Sequence, residues 1–115
     1  MTSDETGRNT HEYAGTAATG KGPDFTSRLT EVIGNPLHSE VWADPALSPR
    51  DRSIATVAAL IALYRPEEMS FYLRVARDNG VTRDELAALI THIAFYSGFP
   101  TSISASAIAA GTLTD

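Results

Sequence analysis

Cysteine is absent from the 115 residues. That omission excludes disulfide staples, thiolate metal sites, cysteine nucleophiles and CxxC redox chemistry together. Lysine occurs once, at Lys21, and the formal net charge is -5, with acids and bases mixed along most of the chain. No Lys/Arg-rich stripe is available to neutralise phosphates, so no nucleic-acid partner is expected. Long apolar runs are missing too. The most apolar stretch, Ile54 to Tyr64, is far shorter than the roughly 20 residues that cross a bilayer, and no membrane partner is expected. The opening Met1-Thr2-Ser3-Asp4-Glu5 is acidic where a signal peptide is basic, and no apolar segment follows it, which leads to the expectation of a cytoplasmic protein. The three histidines, His11, His38 and His92, form no HxxxH or HxH pair, and no phosphate loop, GxSxG elbow or dinucleotide fingerprint occurs. Neither a metal nor a cofactor is expected.

What is present reads as one all-α domain behind a polar leader. Residues 1–23 hold Thr, Gly, Ser, Asp and Glu but hardly any large apolar side chain. Such a stretch cannot offset the entropy of its own ordering, so it is expected to be a flexible tail, docked at most through Tyr13. Residues 24–115 are expected to form the folded domain. Phe25, Leu29, Val32 and Ile33 recur at helical spacing behind a capping Asp24, and Gly34-Asn35-Pro36 is expected to end that helix. Leu37 to Trp42 adds another helical turn.

Ser48-Pro49-Arg50-Asp51 opens the next helix with a capping hydroxyl, a proline at the first position and an acid at the positive dipole end. The Ile54–Leu63 segment that follows is apolar on nearly every side, which predicts a helix surrounded by protein. Pro66-Glu67-Glu68 starts a helix that Asn79-Gly80 ends. Thr82-Arg83-Asp84-Glu85 is a capping box for a helix running to about Ser97. Gly98 and Pro100 stop that one, and Thr101 to Ala110 makes a last helix of Ala, Ser and Ile. With no strand pattern anywhere, the fold class is an antiparallel helical bundle.

His92, an imidazole on an otherwise apolar helix, is the first candidate to move a proton near neutral pH, although its spacing alone suits a core histidine satisfied by a backbone carbonyl or water better. Tyr96 lies one turn further on the same stripe, while Ile90, Ile93 and Phe95 fall on other faces and are expected to pack. Glu85 is seven residues from His92, about 10 Å along the axis, too far for a direct hydrogen bond, and its capping role accounts for it. Tyr72 is placed to donate to a substrate carbonyl or carboxylate. Arg52 can grip a carboxylate bidentately. Trp42, Tyr96 and Phe99 are candidates to line an aromatic pocket, although each also suits ordinary packing.

Four stretches resemble the carboxymuconolactone decarboxylase family: Glu40-Val41-Trp42-Ala43-Asp44-Pro45; Leu47-Ser48-Pro49-Arg50-Asp51-Arg52 on to Leu60; Asp78-Asn79-Gly80-Val81-Thr82-Arg83-Asp84-Glu85-Leu86; and Thr91-His92-Ile93-Ala94-Phe95-Tyr96-Ser97-Gly98-Phe99-Pro100. They cover about residues 25–110 in the expected order. The resemblance implies an alkylhydroperoxidase-D-like subunit, a homo-oligomer (trimer or hexamer) with pockets between subunits, and cofactor-free decarboxylation. The sister peroxidase branch needs a CxxC pair and is closed to a chain without cysteine. Many members carry a histidine where this chain has Tyr72, and a glutamate where it has Ala88, so His92 alone is kept of that polar set.

The expected function is therefore cofactor-free acid–base catalysis on a small cyclic or carbonyl-bearing substrate, by decarboxylation, isomerisation or cyclisation. His92 is the proton carrier in this reading, with Tyr72 and Tyr96 as donors. The alternative is a non-catalytic, oligomeric ligand-binding or scaffold member.

Overall fold

The computed structural model describes residues 25–114, and the expected tail at residues 1–23 and the capping Asp24 lie outside them. Among the described residues the structure is helical throughout, without strands. The chain divides into two compact units at the Ser48–Pro49 junction.

The N-terminal unit contains α1 (Ser27–Pro36), which runs directly into a π-helical turn, Leu37–Val41. Here the structure departs from expectation. Pro36 sits inside the helix with helical φ -64 and ψ -37 instead of ending it. Proline withholds one backbone N–H and crowds the preceding turn. The chain continues by widening: the Trp42 N–H donates to the Leu37 carbonyl five residues back, at 2.9 Å, the spacing of a π-turn. Trp42 itself is buried, whereas Leu29, Val32 and Ile33 on α1, and Phe25 in the turn before it, are all exposed.

The C-terminal unit is built from α2 (Pro49–Ala62), α3 (Pro66–Asp78), α4 (Arg83–Ser97) and α5 (Phe99–Thr112). α2 packs on α3 and α4, α3 on α5, and α4 on α5, so the four close a ring in the order α2, α3, α5, α4, with a smaller contact across it between α2 and α5. The core inside it is Val57, Ile61, Met69, Leu73, Val75, Ala76, Val81, Leu86 and Ala105. Fully burying a side chain such as Leu73 or Ile61 contributes on the order of 1.5–3 kcal/mol.

The expectation of a fully enclosed α2 is corrected by this packing. Its buried residues are only Ser53, Val57 and Ile61, a single stripe four residues apart, and Ala55, Ala59, Ala62 and Leu63 are exposed. One ring of four helices covers one face of each. Immediately after α2, Tyr64 adopts φ 54, the left-handed region that non-glycine residues seldom enter.

Polar ties hold the helices in register. The buried Ser102 hydroxyl donates to the Ile90 carbonyl at 2.8 Å and pins α5 to α4. The Asn79 amide donates to Ser53 Oγ at 2.8 Å, joining the end of α3 to the start of α2. Asn79 caps α3, and Gly80 takes φ 95 behind it, as the Asn-Gly pair predicts.

At the start of α4 both halves of the capping box form: Glu85 N–H donates to Thr82 Oγ1 at 3.0 Å and Thr82 N–H to Glu85 Oε1 at 2.9 Å. Glu85 also accepts from the Arg50 guanidinium of α2. Gly98, with φ 102, is both the last cap of α4 and the N-cap of α5. The helix after it begins at Phe99, earlier than expected, because Pro100 falls in its first turn, where proline's missing N–H costs nothing.

No helix among the described residues is long and apolar enough to cross a membrane.

The backbone N–H of Thr82, then the Arg50 guanidinium, hold the Glu85 carboxyl below the usual carboxylate range. The stability this group adds is complete above the ordinary glutamate pKa and is lost as pH falls through its lowered value. Urea titrations should therefore show an acid limb that Glu85→Gln flattens, and Thr82→Ala should cost about 1 kcal/mol at neutral pH. A wild-type stability indifferent to both changes would contradict the capping account.

Candidate functional site

The α4 helix turns about 100° per residue, so its core-facing residues, Leu86 and Ile90, leave a broad outward arc. His92, Phe95 and Tyr96 share that arc, with His92 between the two aromatic directions. All three are exposed. The His92 and Tyr96 rings lie 4.9 Å apart between centroids, tilted by 41°. The structure thus brings together two of the residues singled out from the sequence, on the outer surface of the C-terminal unit and not in its core.

Phe95, expected to pack inside, is instead 73% exposed. It sits on the outward arc because the core direction of α4 is already taken by Leu86 and Ile90. Its ring meets Phe99 edge-on, 5.5 Å between centroids and 85° between planes. This pair bridges Gly98 and makes a ridge. Behind the ridge, between α4 and α5, runs a groove of about 620 Å³ walled by Leu86, Ile90, Phe95, Phe99, Ile103 and Leu113, with Thr91, Ser102 and Ser106 as hydroxyl-bearing neighbours. Arg83 stands at one end and donates to the Leu113 carbonyl, closing the last turn of α5. His92 and Tyr96 lie outside the groove, on the far side of Phe95.

The other candidates are placed differently. Tyr72 is turned into the core, 7% exposed, with its ring edge-on to Phe71 at 5.1 Å. Burial, and then the Glu68 carboxylate one turn earlier, push its phenol up to about 12. At neutral pH it is a neutral hydrogen-bonding group that cannot serve as a base. Arg52 is half-buried on the first turns of α2, where its carbonyl accepts from Thr56 Oγ1 at 2.7 Å. Trp42 belongs to the N-terminal unit. Ala88 falls on the His92 arc one turn earlier and brings no polar group to it.

Two features escaped the sequence reading: the Phe95–Phe99 ridge and the groove behind it. The signal was available. The fourteen residues of α5, Phe99-Pro-Thr-Ser-Ile-Ser-Ala-Ser-Ala-Ile-Ala-Ala-Gly-Thr112, contain no charged side chain at all, which a helix with a water-facing side rarely affords.

Residues 27–111 match the carboxymuconolactone decarboxylase family. The chain is 42% identical over 82 residues to a 4-carboxymuconolactone decarboxylase of Acinetobacter baylyi, a match covering 71% of this chain and 61% of that protein. It is 32% identical over 91 residues to a nitrosuccinic acid decarboxylase of Metarhizium robertsii, covering 79% of this chain and 64% of that protein. The chain thus spans less than two thirds of the length of the curated relatives it matches.

The raised phenol of Tyr72 has a consequence in alkali. Below its ordinary value near 10 the group is protonated in both folded and unfolded chains and its stabilising effect is complete; between 10 and about 12 only the unfolded chain ionises. Stability should fall across that window by about 2–3 kcal/mol. Tyr72→Phe should remove the fall, as read by urea unfolding at stepped pH; an unchanged alkaline limb in the variant would place the ionisation elsewhere.

Proposed function

Because the chain belongs to the carboxymuconolactone decarboxylase family, we propose that it is a cofactor-free decarboxylase-type lyase acting on a small carboxylic acid, with His92 as the group that moves a proton. The observation that carries this reading is the His92–Tyr96 pair, an imidazole and a phenol side by side on an exposed arc of α4. Both relatives are named as decarboxylases, one of a carboxylated lactone and the other of a nitro acid. The two substrates share one piece of chemistry. Each has an electron-withdrawing group, a lactone carbonyl or a nitro group, that can take up the electron pair left when the carbon–carboxylate bond breaks. Carbon dioxide departs, the electrons rest on that group, and a proton is then delivered to carbon.

On this chain His92 delivers the proton, since imidazole is the side chain that exchanges one readily near neutrality. Tyr96 donates a hydrogen bond to the oxygen on which charge develops. Tyr72 enters only as a neutral donor, because its phenol keeps its proton to about pH 12. Arg52 and Phe99 are the further residues proposed to meet the substrate, with Arg52 toward its carboxylate. The same reading carries the alkylhydroperoxidase-D-like arrangement of the bundle and a trimeric or hexameric assembly.

One observation favours a second reading, a ligand-binding member without catalysis: Ala88 leaves the His92 arc without a carboxylate.

The test is direct. Purified full chain, offered 4-carboxymuconolactone and nitrosuccinic acid separately, should release carbon dioxide from one of them after treatment with a metal chelator. His92→Ala should lower that rate at least tenfold, with Tyr96→Phe falling less. Saturable binding of either acid without carbon dioxide release would establish the binding reading instead. Wild-type rates in His92→Ala would remove the imidazole from the chemistry.

A further inference from the structure

The groove between α4 and α5 has a length, a polarity and a charged end that the His92–Tyr96 pair does not use. Arg83 and Leu113 mark one end of it and Phe95 and Phe99 the other. It therefore follows α4 from residue 83 to residue 95, about 18 Å at the helical rise. Its volume of about 620 Å³ lies within the range that holds small molecules, roughly 300–1,000 Å³. Spread over that length, the volume leaves a cross-section of about 35 Å², which suits one narrow body lying lengthwise.

Leu86, Ile90, Ile103 and the two phenylalanines make the walls apolar along that path. Two of the three hydroxyls offer no donor to it. Thr91 donates its proton to the Ala87 carbonyl at 2.9 Å, and Ser102 donates to the Ile90 carbonyl at 2.8 Å. A hydroxyl has one proton to give, so both turn only lone pairs toward the groove, and lone pairs repel an anion. The third, Ser106, is exposed to water. Arg83 is the single charged residue among those lining the groove. Its guanidinium donates to the Leu113 carbonyl. That neutral acceptor holds the group at the mouth and takes nothing from its charge.

We propose that this groove binds a linear, singly charged amphiphile, a free medium-chain fatty carboxylate, with its carboxylate at Arg83 and its hydrocarbon tail running toward the Phe95–Phe99 ridge. Charge selects the head. In a chain of net charge -5, an anion is drawn to the one positive point of the wall, and the acceptor hydroxyls of Thr91 and Ser102 keep it from the middle. The walls select the tail, since each methylene moved from water onto apolar side chains favours binding. Length selects the chain. Extended decanoate is shorter than the groove, so head and tail fit in one lengthwise pose that carries the terminal methyl toward the aromatic rings. A dicarboxylate of the same length is rejected, because its second charge would lie against phenylalanine or hydroxyl lone pairs. The site is separate from His92 and Tyr96, which lie across Phe95, and its occupancy does not depend on the decarboxylase reading.

Isothermal titration of the full chain with decanoate measures the site. The expected result is one decanoate per chain with a dissociation constant between about 10 µM and 1 mM. Nonanoate and octanoate should bind about fourfold more weakly for each methylene removed, and decanedioate at least tenfold more weakly than decanoate. Arg83→Gln should lower the affinity for decanoate at least tenfold. Because Arg83 also ties down the end of α5, Ile103→Glu supplies a second variant. Ile103 is 69% exposed, so the fold tolerates a carboxylate there, checked by unchanged helical circular dichroism, and that carboxylate should repel the ligand. Nuclear Overhauser contacts from the terminal methyl of bound decanoate to the Phe95 and Phe99 rings would support the pose; contacts to Leu113 instead would reverse it and overturn the role of Arg83. No saturable binding up to about 1 mM, wild-type affinity in both variants, or equal binding of decanedioate each overturns the proposal. So does a sedimenting mass that falls as decanoate is added, because the groove is then occupied by another copy of the chain.

Discussion

The rotation of α4 about its own axis governs the rest of the C-terminal unit. Two interactions set it. At the N-terminus the reciprocal Thr82–Glu85 box, with Arg50 gripping the same carboxylate, fixes where the helix begins. In the middle, the Ser102 hydroxyl on the Ile90 carbonyl fixes which side of it meets α5. Once Leu86 and Ile90 face the core, the helical repeat leaves no choice for His92, Phe95 and Tyr96. They must stand outside. A slip of one residue would bury the imidazole and expose aliphatic side chains, and the surface ion pair alone, half in water, would be too weak to prevent it. The buried bond and the packed side chains prevent it.

Much of this was legible beforehand. Capping chemistry is local, and the residues that perform it are few, so the Thr82–Glu85 box and the Asn79-Gly80 terminus read directly from the chain. The all-helical class followed from periodicity, and the ordered motifs pointed to the family in which the chain is found. Two of the differences share one physical origin. Apolar character suggests packing against protein, which led to the expectation that all of α2 is enclosed and that Phe95 is packed. A ring of four helices has only one interior, and it was filled by Val57, Ile61, Met69, Leu73 and Leu86. The remaining apolar side chains had to face outward. At Pro36 the error was of another kind: a proline rule was applied without allowing that the backbone can widen and continue.

The separation of Tyr72 from His92 bears on the chemistry available. One hydroxyl is locked in the interior with its proton held to about pH 12; the imidazole is on the surface beside a second phenol. At Tyr72 and Ala88 the chain offers a neutral hydroxyl and a methyl group. On the proposed reading, acid–base work rests on the single imidazole of His92. A reaction that needs only one proton placed on carbon after carbon dioxide has left suits such a reduced set, whereas one requiring simultaneous protonation and deprotonation does not.

Gly98 bends the chain between α4 and α5 with φ 102, and nothing stands closer than 3.8 Å to the place where a side chain would begin. Room is therefore not what demands glycine there; the backbone angle is. Since Phe99 and Ile103 are carried on the far arm of that bend, the breadth of the cleft and the spacing of its aromatic lip are both set by one torsion. Side chains along either arm can be exchanged while the aperture stays the same. Altering the torsion would instead move every contact point on that arm at once.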